Sequence, residues 1–390
     1  MNQGKYIFAQ LMSLINHKEF TSYVDKYRGN YRVRNFSCWH QFLCMSFGQL
    51  TNRESLRDTV VCLQAHKNKL YHLGLTNGVK KSTLADANEN RDWRIYAEFA
   101  QVLIKQARPL CQGDGEMSIE LDNVVYALDA TTIELCLEVF WWAKFRKHKA
   151  AVKLHTLLDV KCEIPCFIHI TDGTVHDVNV LDVIEFEAEA FYVMDRGYVD
   201  WARLHKMHSA GAYFVIRAKG NLAFKRVYSH QVDKSTGLRC DQTIRLTGYY
   251  AAKDYPEHLR RVKYYDKEHD QTYVYLTNHF DAPALQISIL YLNRWKVEIF
   301  FKWVKQHLRI KKFWGESPNA VKTQIWIAVC TFVLVAIWKY KLNCKHSLNE
   351  ILQILSVSAF DKTPVNQLLM KIDNKKLNHP GSNQLNIFDL

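Results

Sequence analysis

Hydrophobic and polar positions divide the chain into a helical front and a strand-rich middle. Up to about residue 112, apolar residues recur at helical spacing, as in SCWHQFLCMSFGQL and NRESLRDTVVCLQAHKNKL. The runs NVVYALDATTIELCL, AAVKLHTLLDV and EIPCFIHITDG then predict three successive strands. A helix over 177–186, the strand FYVMD, a helix through WARLHKMH and the strand AYFVIRA follow. This order predicts an α/β core around a mixed sheet.

The rest of the chain combines short strands with apolar helices. LAFKRVY, QTIRLTGYY, LRRVKYYD and QTYVYLTN predict an all-β insertion over about 221–280. Helix returns in YLNRWKVEIFFKWVKQ, residues 291–306, and in IWIAVCTFVLVAIW, residues 325–338. The second run is shorter than the roughly 20 residues that cross a bilayer. We therefore expect a buried core helix there and no membrane span.

Composition and charge narrow the class of partner. The chain has 390 residues, of which 48% are hydrophobic, enough for an extensive core in two or three domains. Lys and Arg outnumber Asp and Glu by 52 to 39, which gives a net charge of +13. This excess favours a polyanionic partner, nucleic acid before membrane, although solubility alone is an alternative explanation. No basic and apolar leader opens the chain, so we expect a cytoplasmic protein.

The ten cysteines have no spacing typical of a disulfide framework. In a chain of this size without a leader, we expect reduced and mostly buried thiols. Cys162, Cys166 and His169 come closest to a zinc-ligand pattern, but the spacing is not CxxC and no second cluster supports it. No zinc site is expected.

A basic segment follows the turn signal NG in the helical front. Ser82 or Thr83 can cap a short helix there. The basic residues that flank it are Lys80, Lys81, Arg91 and Arg94. A helix, a glycine-containing turn and a capped basic helix suit insertion into the major groove of DNA. A helical domain with a solvated basic face explains the same pattern equally well.

Three carboxylates occupy unusual positions. Asp129 lies inside the strand YALDATTI, where a charge among apolar neighbours is costly unless it is paired. Asp195 ends the strand FYVMD, at the edge where open α/β sheets place their sites. Glu298 lies in the helix 291–306 among large apolar residues. Taken singly, each has an ordinary structural explanation, but together they indicate a site.

A helical wheel at about 100° per residue places Glu298 on one stripe with Tyr291, Arg294 and Lys305. This stripe borders the apolar face of the helix, so its side chains are expected to reach over the sheet edge toward the two aspartates. The alternative is an exposed ladder of ion pairs, with Arg294 four residues before Glu298 and Lys302 four residues after it.

Clustered carboxylates without histidine or cysteine form a hard-oxygen site that suits Mg²⁺ or Mn²⁺. The carboxylates would repel one another without cations, and two divalent ions would offset this repulsion. Such a pair also activates an attacking oxygen and stabilises a leaving oxygen. In a basic protein, the arrangement indicates phosphodiester chemistry.

The helix also carries a signature. Tyr291, Arg294, Glu298 and Lys305 fill the pattern Y-x2-R-x3-E-x6-K, and the chain resembles the insertion-sequence-4 family of DDE transposases. YALDATTI and VMDRGY are similar to the strands that carry the first and second aspartate in that family. The resemblance covers most of the chain.

The resemblance implies an RNase H-like catalytic core, interrupted by a β insertion, and a helical N-terminal domain that binds the ends of the element. We accordingly assign five segments. They are an N-terminal DNA-binding domain at 1–112, the first catalytic part at 113–220, the insertion at 221–280, the second catalytic part at 281–342, and a C-terminal helix and tail at 343–390.

The resemblance also implies roles for residues. Asp129, Asp195 and Glu298 would hold two metal ions, Mg²⁺ or Mn²⁺; Arg294 and Lys305 would grip phosphates, and Tyr291 would contact the DNA backbone. Element ends would be cleaved and their 3′-hydroxyls joined to target DNA, by a homodimer in a synaptic complex at the bacterial nucleoid.

Some relatives pass through a DNA hairpin and use a tryptophan of the insertion to stack on a flipped base. The insertion of this chain has no tryptophan. It has tyrosines, including Tyr249, Tyr250, Tyr264 and Tyr265, and a tyrosine could stack in its place. The sequence leaves the hairpin step open.

The tail ends in NQLNIFDL. Gln384, Leu385, Ile387 and Phe388 resemble the short peptide by which bacterial proteins bind the DNA sliding clamp, and HPGSN before it suits an extended approach. A tail folded back on its own protein is an equal alternative.

Two further readings of the whole chain remain. A nuclease or resolvase with an RNase H-like fold would need the same carboxylates, but no domain that reads element ends. A transposase-derived DNA-binding protein without catalysis would not need the intact triad.

Overall fold

The structure, a computed structural model, describes residues 4–75, 78–111, 121, 123–136, 138–146, 149–307 and 313–369. Its α-helices are α1 (Ile7–Met12), α2 (His17–Lys26), α3 (Cys38–Leu50), α4 (Leu56–Ala65), α5 (Lys81–Asn90), α6 (Arg94–Ala107), α7 (Trp201–Ser209), α8 (Tyr249–Asp254), α9 (Ala284–Leu292), α10 (Trp295–His307), α11 (Pro318–Lys341) and α12 (Leu348–Ser358).

Its strands are β1 (Val125–Leu135), β2 (Lys144–Arg146), β3 (Lys149–Asp159), β4 (Ile164–Asp172), β5 (Phe191–Met194), β6 (Tyr213–Arg217), β7 (Phe224–His230), β8 (Leu238–Leu246), β9 (Leu259–Asp266) and β10 (Gln271–Thr277). Short 3₁₀ turns include Asp177–Asp182 and Arg196–Tyr198. The helix expected over 177–186 is therefore only the first of these turns.

The chain divides into two compact units. One consists of Met1–Leu110 with His307–Leu390, and the other of Cys111–Gln306. This division differs from the predicted segments, because the second catalytic part at 281–342 is split between the units. The helix α11 packs on α3, α5 and α6, the front helices, and so belongs to the helical unit.

The core of the helical unit is α11. Ser317 caps it by accepting a hydrogen bond from the Ala320 N–H, and Pro318 occupies its first turn. The helix has 24 residues and is long and apolar enough to cross a membrane, but 94% of its most apolar window is buried within the protein. Burial on all sides is what a core helix requires, as predicted for residues 325–338.

The other unit contains a single mixed sheet. Its core strands follow the order β4, β3, β1, β5, β6. β1 runs antiparallel to β3 but parallel to β5, and β5 runs parallel to β6. The sheet is mixed because the first strands are linked by hairpins and the later ones by crossovers. The predicted RNase H-like α/β core with a helical front is confirmed.

The insertion extends this sheet. β10 pairs antiparallel with β6, and the order continues through β9 and β8 to the edge strand β7, so ten strands form one sheet in the described part of the chain. The insertion is not all-β, because α8 lies between β8 and β9. The predicted strand QTIRLTGYY ends at Leu246, and the sequence from Tyr249 forms the helix.

A turn at Asn293 and Arg294 breaks the predicted helix 291–306 into α9 and α10. Tyr291 therefore lies on α9, whereas Glu298 and Lys305 lie on α10. A single helical wheel across the break does not describe their directions. The residues meet because the turn redirects the chain.

The expectation that all thiols are reduced is wrong for two cysteines. Cys111 and Cys162 form a disulfide, with Cα atoms 5.6 Å apart. The fold brings the segment after α6 beside the turn between β3 and β4, positions 51 residues apart in the sequence. Sequence spacing alone could not indicate that pairing.

Candidate active site

Asp129 and Asp195 lie side by side because their strands pair in parallel. In the register of β1 and β5, Leu128 lies beside Met194, so the next residue along each strand is one of the two aspartates. Side chains alternate between the faces of a sheet, and the two carboxylates therefore share a face. The Ala130 N–H donates to Asp129 Oδ1 at 2.8 Å and fixes one carboxylate oxygen.

The turn between α9 and α10 brings a guanidinium to this edge. Arg294 Nη1 donates to Asp129 Oδ2 at 2.9 Å, and Nη2 donates to Glu298 Oε1 at 2.7 Å. The Arg294 and Asp129 side chains are 17% and 23% exposed, whereas that of Glu298 is 56% exposed. One arginine thus joins a mostly buried strand aspartate to a more exposed helix glutamate.

Burial governs the protonation of Asp129. Desolvation raises the pKa of this carboxyl, while the Arg294 guanidinium and the Ala130 N–H lower it. The charges of Glu298 and Asp195 raise it further. All three carboxylates are therefore within electrostatic reach of one another.

Tyr291 links α9 to the second aspartate. Its hydroxyl donates to Asp195 Oδ1 at 3.4 Å, and its ring packs on Tyr275 with centroids 4.6 Å apart. Burial raises the pKa of Tyr291 to about 12, against the effect of Arg294 and with that of Asp195. The hydroxyl therefore keeps its proton near neutral pH and can donate it to the carboxylate.

Lys305 lies at an exposed position on α10. It follows Glu298 by seven residues, or about 10 Å along the helix axis. Among the residues described, the structure gives Lys305 no contact with the carboxylates.

The three carboxylates do not surround a common point. Within the described ranges, no group of three His, Cys, Asp or Glu side chains is placed to hold a metal ion. Instead, the Arg294 guanidinium pairs with both Asp129 and Glu298 and supplies the positive charge there. The donor chemistry nevertheless fits a hard divalent cation, because every nearby acidic group offers carboxylate oxygens.

Arg217 is a second cation at this edge, which the sequence pattern did not single out. It ends β6, whose register with β5 places Ile216 beside Met194 and hence Arg217 beside Asp195. Its guanidinium lies 5.1 Å from the centroid of the Tyr273 ring and has no ion-pair partner among the described residues. The sequence alone does not show that this arginine lies beside Asp195, because that follows from the order and register of the strands.

Tyr198, three residues after Asp195, is a buried tyrosine beside the site. It is 2% exposed, and its hydroxyl has no hydrogen-bond partner in the part of the chain that the structure describes. Burial raises its pKa, and the charges of Asp129 and Asp177 act in the same direction. Buried hydroxyls without a partner are uncommon in folded proteins.

The predicted basic helix in the front is α5. It begins at Lys81 with Lys80 as its N-cap residue, so neither Ser82 nor Thr83 caps it. Both lysines are exposed.

The two arginines that follow differ. Arg91 is buried, donates from Nη1 to Gln41 Oε1 at 3.1 Å and binds the Phe36 carbonyl through Nη2, which is a structural position. Arg94 is 55% exposed and pairs with Asp92 at 2.6 Å. The predicted clamp peptide, Gln384, Leu385, Ile387 and Phe388, lies outside the described residues.

Comparison with known proteins decides the family. A family model described as Transposase DDE domain matches residues 120–334, more than half of the chain. The chain belongs to the DDE transposases. The matched region contains Asp129, Asp195 and Glu298, and the insertion-sequence-4 resemblance is consistent with it.

Curated relatives of this transposase include the transposase y4zB of Sinorhizobium fredii, 32% identical over 258 residues, or 65% of this chain and 70% of that protein. A transposase for insertion sequence element IS5377 of Geobacillus stearothermophilus is 29% identical over 248 residues, 63% and 64% of the two chains. A transposase for element IS4SA of Synechocystis is 21% identical over 266 residues, 65% and 70% of the two. This chain spans less than two thirds of the IS5377 relative.

A second family model, described as Domain of unknown function (DUF4372), matches residues 3–76 of the transposase, in its helical front. Among solved structures, the piggyBac transposase synaptic complex with hairpin DNA matches with a TM-score of 0.47 and 12% identity, covering 98% of this chain and 84% of that chain. At this score the likeness has no weight for the fold.

The family gives the general chemistry. A DDE transposase acts on DNA, and the family implies a dependence on divalent metal ions.

Proposed function

We propose that this transposase cleaves DNA at the ends of an insertion sequence and joins the freed 3′-hydroxyls to target DNA. The observation that carries the proposal is the pair of contacts from the α9–α10 turn. Arg294 bonds Asp129 and Glu298, and Tyr291 bonds Asp195. These contacts, made by Tyr291, Arg294 and Glu298 of the signature, support a single site that includes the two strand aspartates.

In this proposal Asp129, Asp195 and Glu298 hold two divalent ions, Mg²⁺ or Mn²⁺. When bound, such ions activate the attacking oxygen and stabilise the leaving oxygen. The two aspartates would form the rigid side of the site, because they lie on adjacent strands. Glu298 would form the adjustable side, because it lies on a helix and is the most exposed of the ion-paired groups here.

The cations around the carboxylates would bind the substrate. Arg294 holds two carboxylates in place and presents positive charge beside the scissile phosphate. Arg217, which lies over Tyr273 without an ion-pair partner among the described residues, is suited to a second phosphate. Lys305, about two turns beyond Glu298, would contact the backbone farther along the strand. These groups orient the DNA so that the attacking and leaving oxygens are in line.

The helical unit would hold the terminal inverted repeats. Lys80, Lys81 and Arg94 are exposed cations on or before α5 and α6, and phosphate contacts by such residues fix a protein on duplex DNA. Buried Arg91 would support the fold beside them. Two copies would act in a synaptic complex at the nucleoid, and Gln384, Leu385, Ile387 and Phe388 would dock on the sliding clamp.

The test is a strand-transfer assay with Mg²⁺ and linear DNA that carries the repeats flanking the gene. The wild type is expected to cleave and transfer the ends, and Asp195→Asn to bind without cleaving. The matched control is Asp254→Asn, which removes an exposed carboxylate on α8 and should cleave normally. Cleavage indifferent to the repeats would favour a nuclease, and binding without cleavage by the wild type would favour a regulatory DNA-binding protein.

The clamp contact has its own test. Removal of residues 384–390 should abolish pull-down by the sliding clamp while cleavage of linear DNA stays at the wild-type level. Unchanged pull-down would exclude the contact without affecting the catalytic proposal.

A further inference from the structure

The segment between α2 and α3, here called the 27–36 loop, is a basic and aromatic turn of the helical unit. Its sequence is YRGNYRVRNF, which contains three arginines, two tyrosines and no acidic residue. It lies within residues 3–76, the region matched to a domain of unknown function.

Hydrogen bonds and close packing hold the backbone of the loop in place. The Cys38 N–H donates to Asn30 Oδ1 at 2.8 Å, and the Gly29 N–H donates to the Val24 carbonyl at 2.8 Å. A Cβ on Gly29 would come within 3 Å of the Ile95 and Cys38 side chains, so the loop is packed closely on the helices. Its side chains are therefore presented from a fixed backbone.

The loop arginines are available to a partner. Arg28, Arg32 and Arg34 are exposed, and no ion pair to any of them occurs among the residues that the structure describes. The neighbouring cations differ, since Lys26 pairs with Glu98 at 2.6 Å and Arg94 is paired as described above. The loop thus places three exposed cations without an ion pair among the described residues within the seven positions 28–34.

Backbone conformation also singles out two of these arginines. Arg28 and Arg32 have φ angles of 51° and 56°. In this left-handed region glycine is accommodated without the steric cost of a Cβ. Arginine at both positions therefore indicates that the side chains, and not the turn alone, have a role.

The surroundings suit an extended polyanion. The loop forms one wall of an open cavity of about 770 Å³, and α5 with the turn that follows it forms the other wall, which carries Asp86 and the Arg94-paired Asp92. Tyr31 is 66% exposed and carries Arg32 over its ring at 5.2 Å. The Tyr27 ring lies against Arg94 at 4.9 Å, and its hydroxyl bonds Glu98, so it is a fixed aromatic surface.

We propose that the 27–36 loop binds the sugar–phosphate backbone of the duplex at the element ends. Arg28, Arg32 and Arg34 would each contact a phosphate, and the exposed Tyr31 ring would pack against the sugars. Guanidinium groups bind phosphate bidentately, and such contacts set the position of a protein on DNA. The inference rests on the proposed function, because it takes its ligand from the DNA that the transposase cleaves.

The test is binding of the full-length protein to a short duplex that carries the terminal repeat, without divalent metal, by fluorescence anisotropy. Each phosphate contact contributes about 0.9 to the slope of log K against log salt. The triple variant Arg28→Gln, Arg32→Gln, Arg34→Gln should therefore lose about 2 to 3 units of slope between about 50 and 200 mM salt. At low salt and high protein concentration it should still cleave the duplex once Mg²⁺ is added.

The matched control removes three other exposed cations of the same unit: Lys18→Gln, Arg57→Gln, Lys105→Gln. It changes the net charge by the same amount, so it should keep the wild-type slope to within about 1 unit. An equal loss in both triple variants would mean general charge attraction, and an unchanged slope in the loop variant would mean no phosphate contact. Either result overturns the inference.

A second variant guards against misfolding. Arg28→Gly with Arg32→Gly suits the left-handed backbone, so it should melt at the wild-type temperature or above while its slope falls by about 2 units. Retained slope in this stable variant would also overturn the inference. Failure of the proposed function is distinguishable, because it would appear as no cleavage by the wild type, whatever the loop variants bind.

Discussion

Arg294 is the residue on which the charge balance of the site depends. Its guanidinium contacts Asp129 and Glu298, and the strand carboxylate is mostly buried. Without that guanidinium, desolvation and the two neighbouring carboxylates would act on Asp129 with only the Ala130 N–H in opposition. A buried charge that loses its partner destabilises the fold.

We therefore expect Arg294→Gln to lower the free energy of unfolding by about 1 to 3 kcal/mol at neutral pH, as measured by urea denaturation without metal. The control is Arg203→Gln, which breaks more exposed pairs with Asp182 and Asp200 and should cost less than about 1 kcal/mol. Equal losses in the two variants would contradict the role of Arg294.

His155 makes stability depend on pH. It is fully buried on β3, its Nε2 lies 3.0 Å from Thr171 Oγ1, and burial lowers its pKa to about 4. Between pH 6.5 and 4 the unfolded chain takes up a proton that the folded chain does not, so stability falls as pH drops through this window. The contribution approaches about 1.4 kcal/mol per pH unit.

His155→Gln should accordingly show a shallower fall of unfolding free energy between pH 6.5 and pH 4 than the wild type. The exposed substitution His230→Gln should leave the wild-type profile unchanged. Parallel profiles for wild type and His155→Gln would refute the assignment.

At the scale of elements, the strands were largely predictable and their partners were not. Alternating and continuous runs of apolar residues identified β1, β3, β4, β5 and β6, and Asp195 at a strand end was a visible signal. The break between α9 and α10 was not, because its residues Asn293 and Arg294 include neither proline nor glycine. Turns of this kind are set by tertiary contacts, which override weak local preference.

Packing between α3 and α4 gives a test at this scale. A Cβ on Gly48 would lie 2.6 Å from the Trp314 ring and 2.8 Å from Thr59 Oγ1. Helix propensity favours Gly48→Ala by about 1 kcal/mol, but overpacking costs typically about 1 to 3 kcal/mol. We expect a net loss of stability in thermal unfolding.

The control for this prediction is Gly220→Ala, where a Cβ meets nothing within 4 Å. That substitution should leave stability unchanged or raise it by less than about 1 kcal/mol. A stabilised Gly48→Ala variant would show that helix propensity outweighs packing at this position.

At the scale of the molecule, one unit is continuous in sequence and the other is not. Cys111–Gln306 contains the whole sheet, its buried core cluster and the residues Asp129, Asp195 and Glu298. The sequence predicted the RNase H-like core but not that α11 joins the helical unit. The apolar run of α11 would suit the core of either unit, so the sequence pattern alone could not predict which helices pack against it.

The fragment 111–306 is therefore expected to fold alone. Its far-ultraviolet circular dichroism should show mixed helix and strand, and urea should unfold it in a single cooperative transition. A gradual, non-cooperative transition would mean that the sheet depends on the helical unit.

The insertion places β7 at one edge of the sheet, where it affects the tendency of the protein to aggregate at high concentration. Because β7 ends the strand order, it offers unpaired backbone groups to any other strand that approaches. The strand carries Lys225 and Arg226 at exposed positions, and its pairing with β8 is irregular between Arg226 and Tyr228. Charged side chains and an irregular edge are means by which proteins resist edge-to-edge aggregation, so a sheet lengthened by inserted hairpins stays closed to further growth.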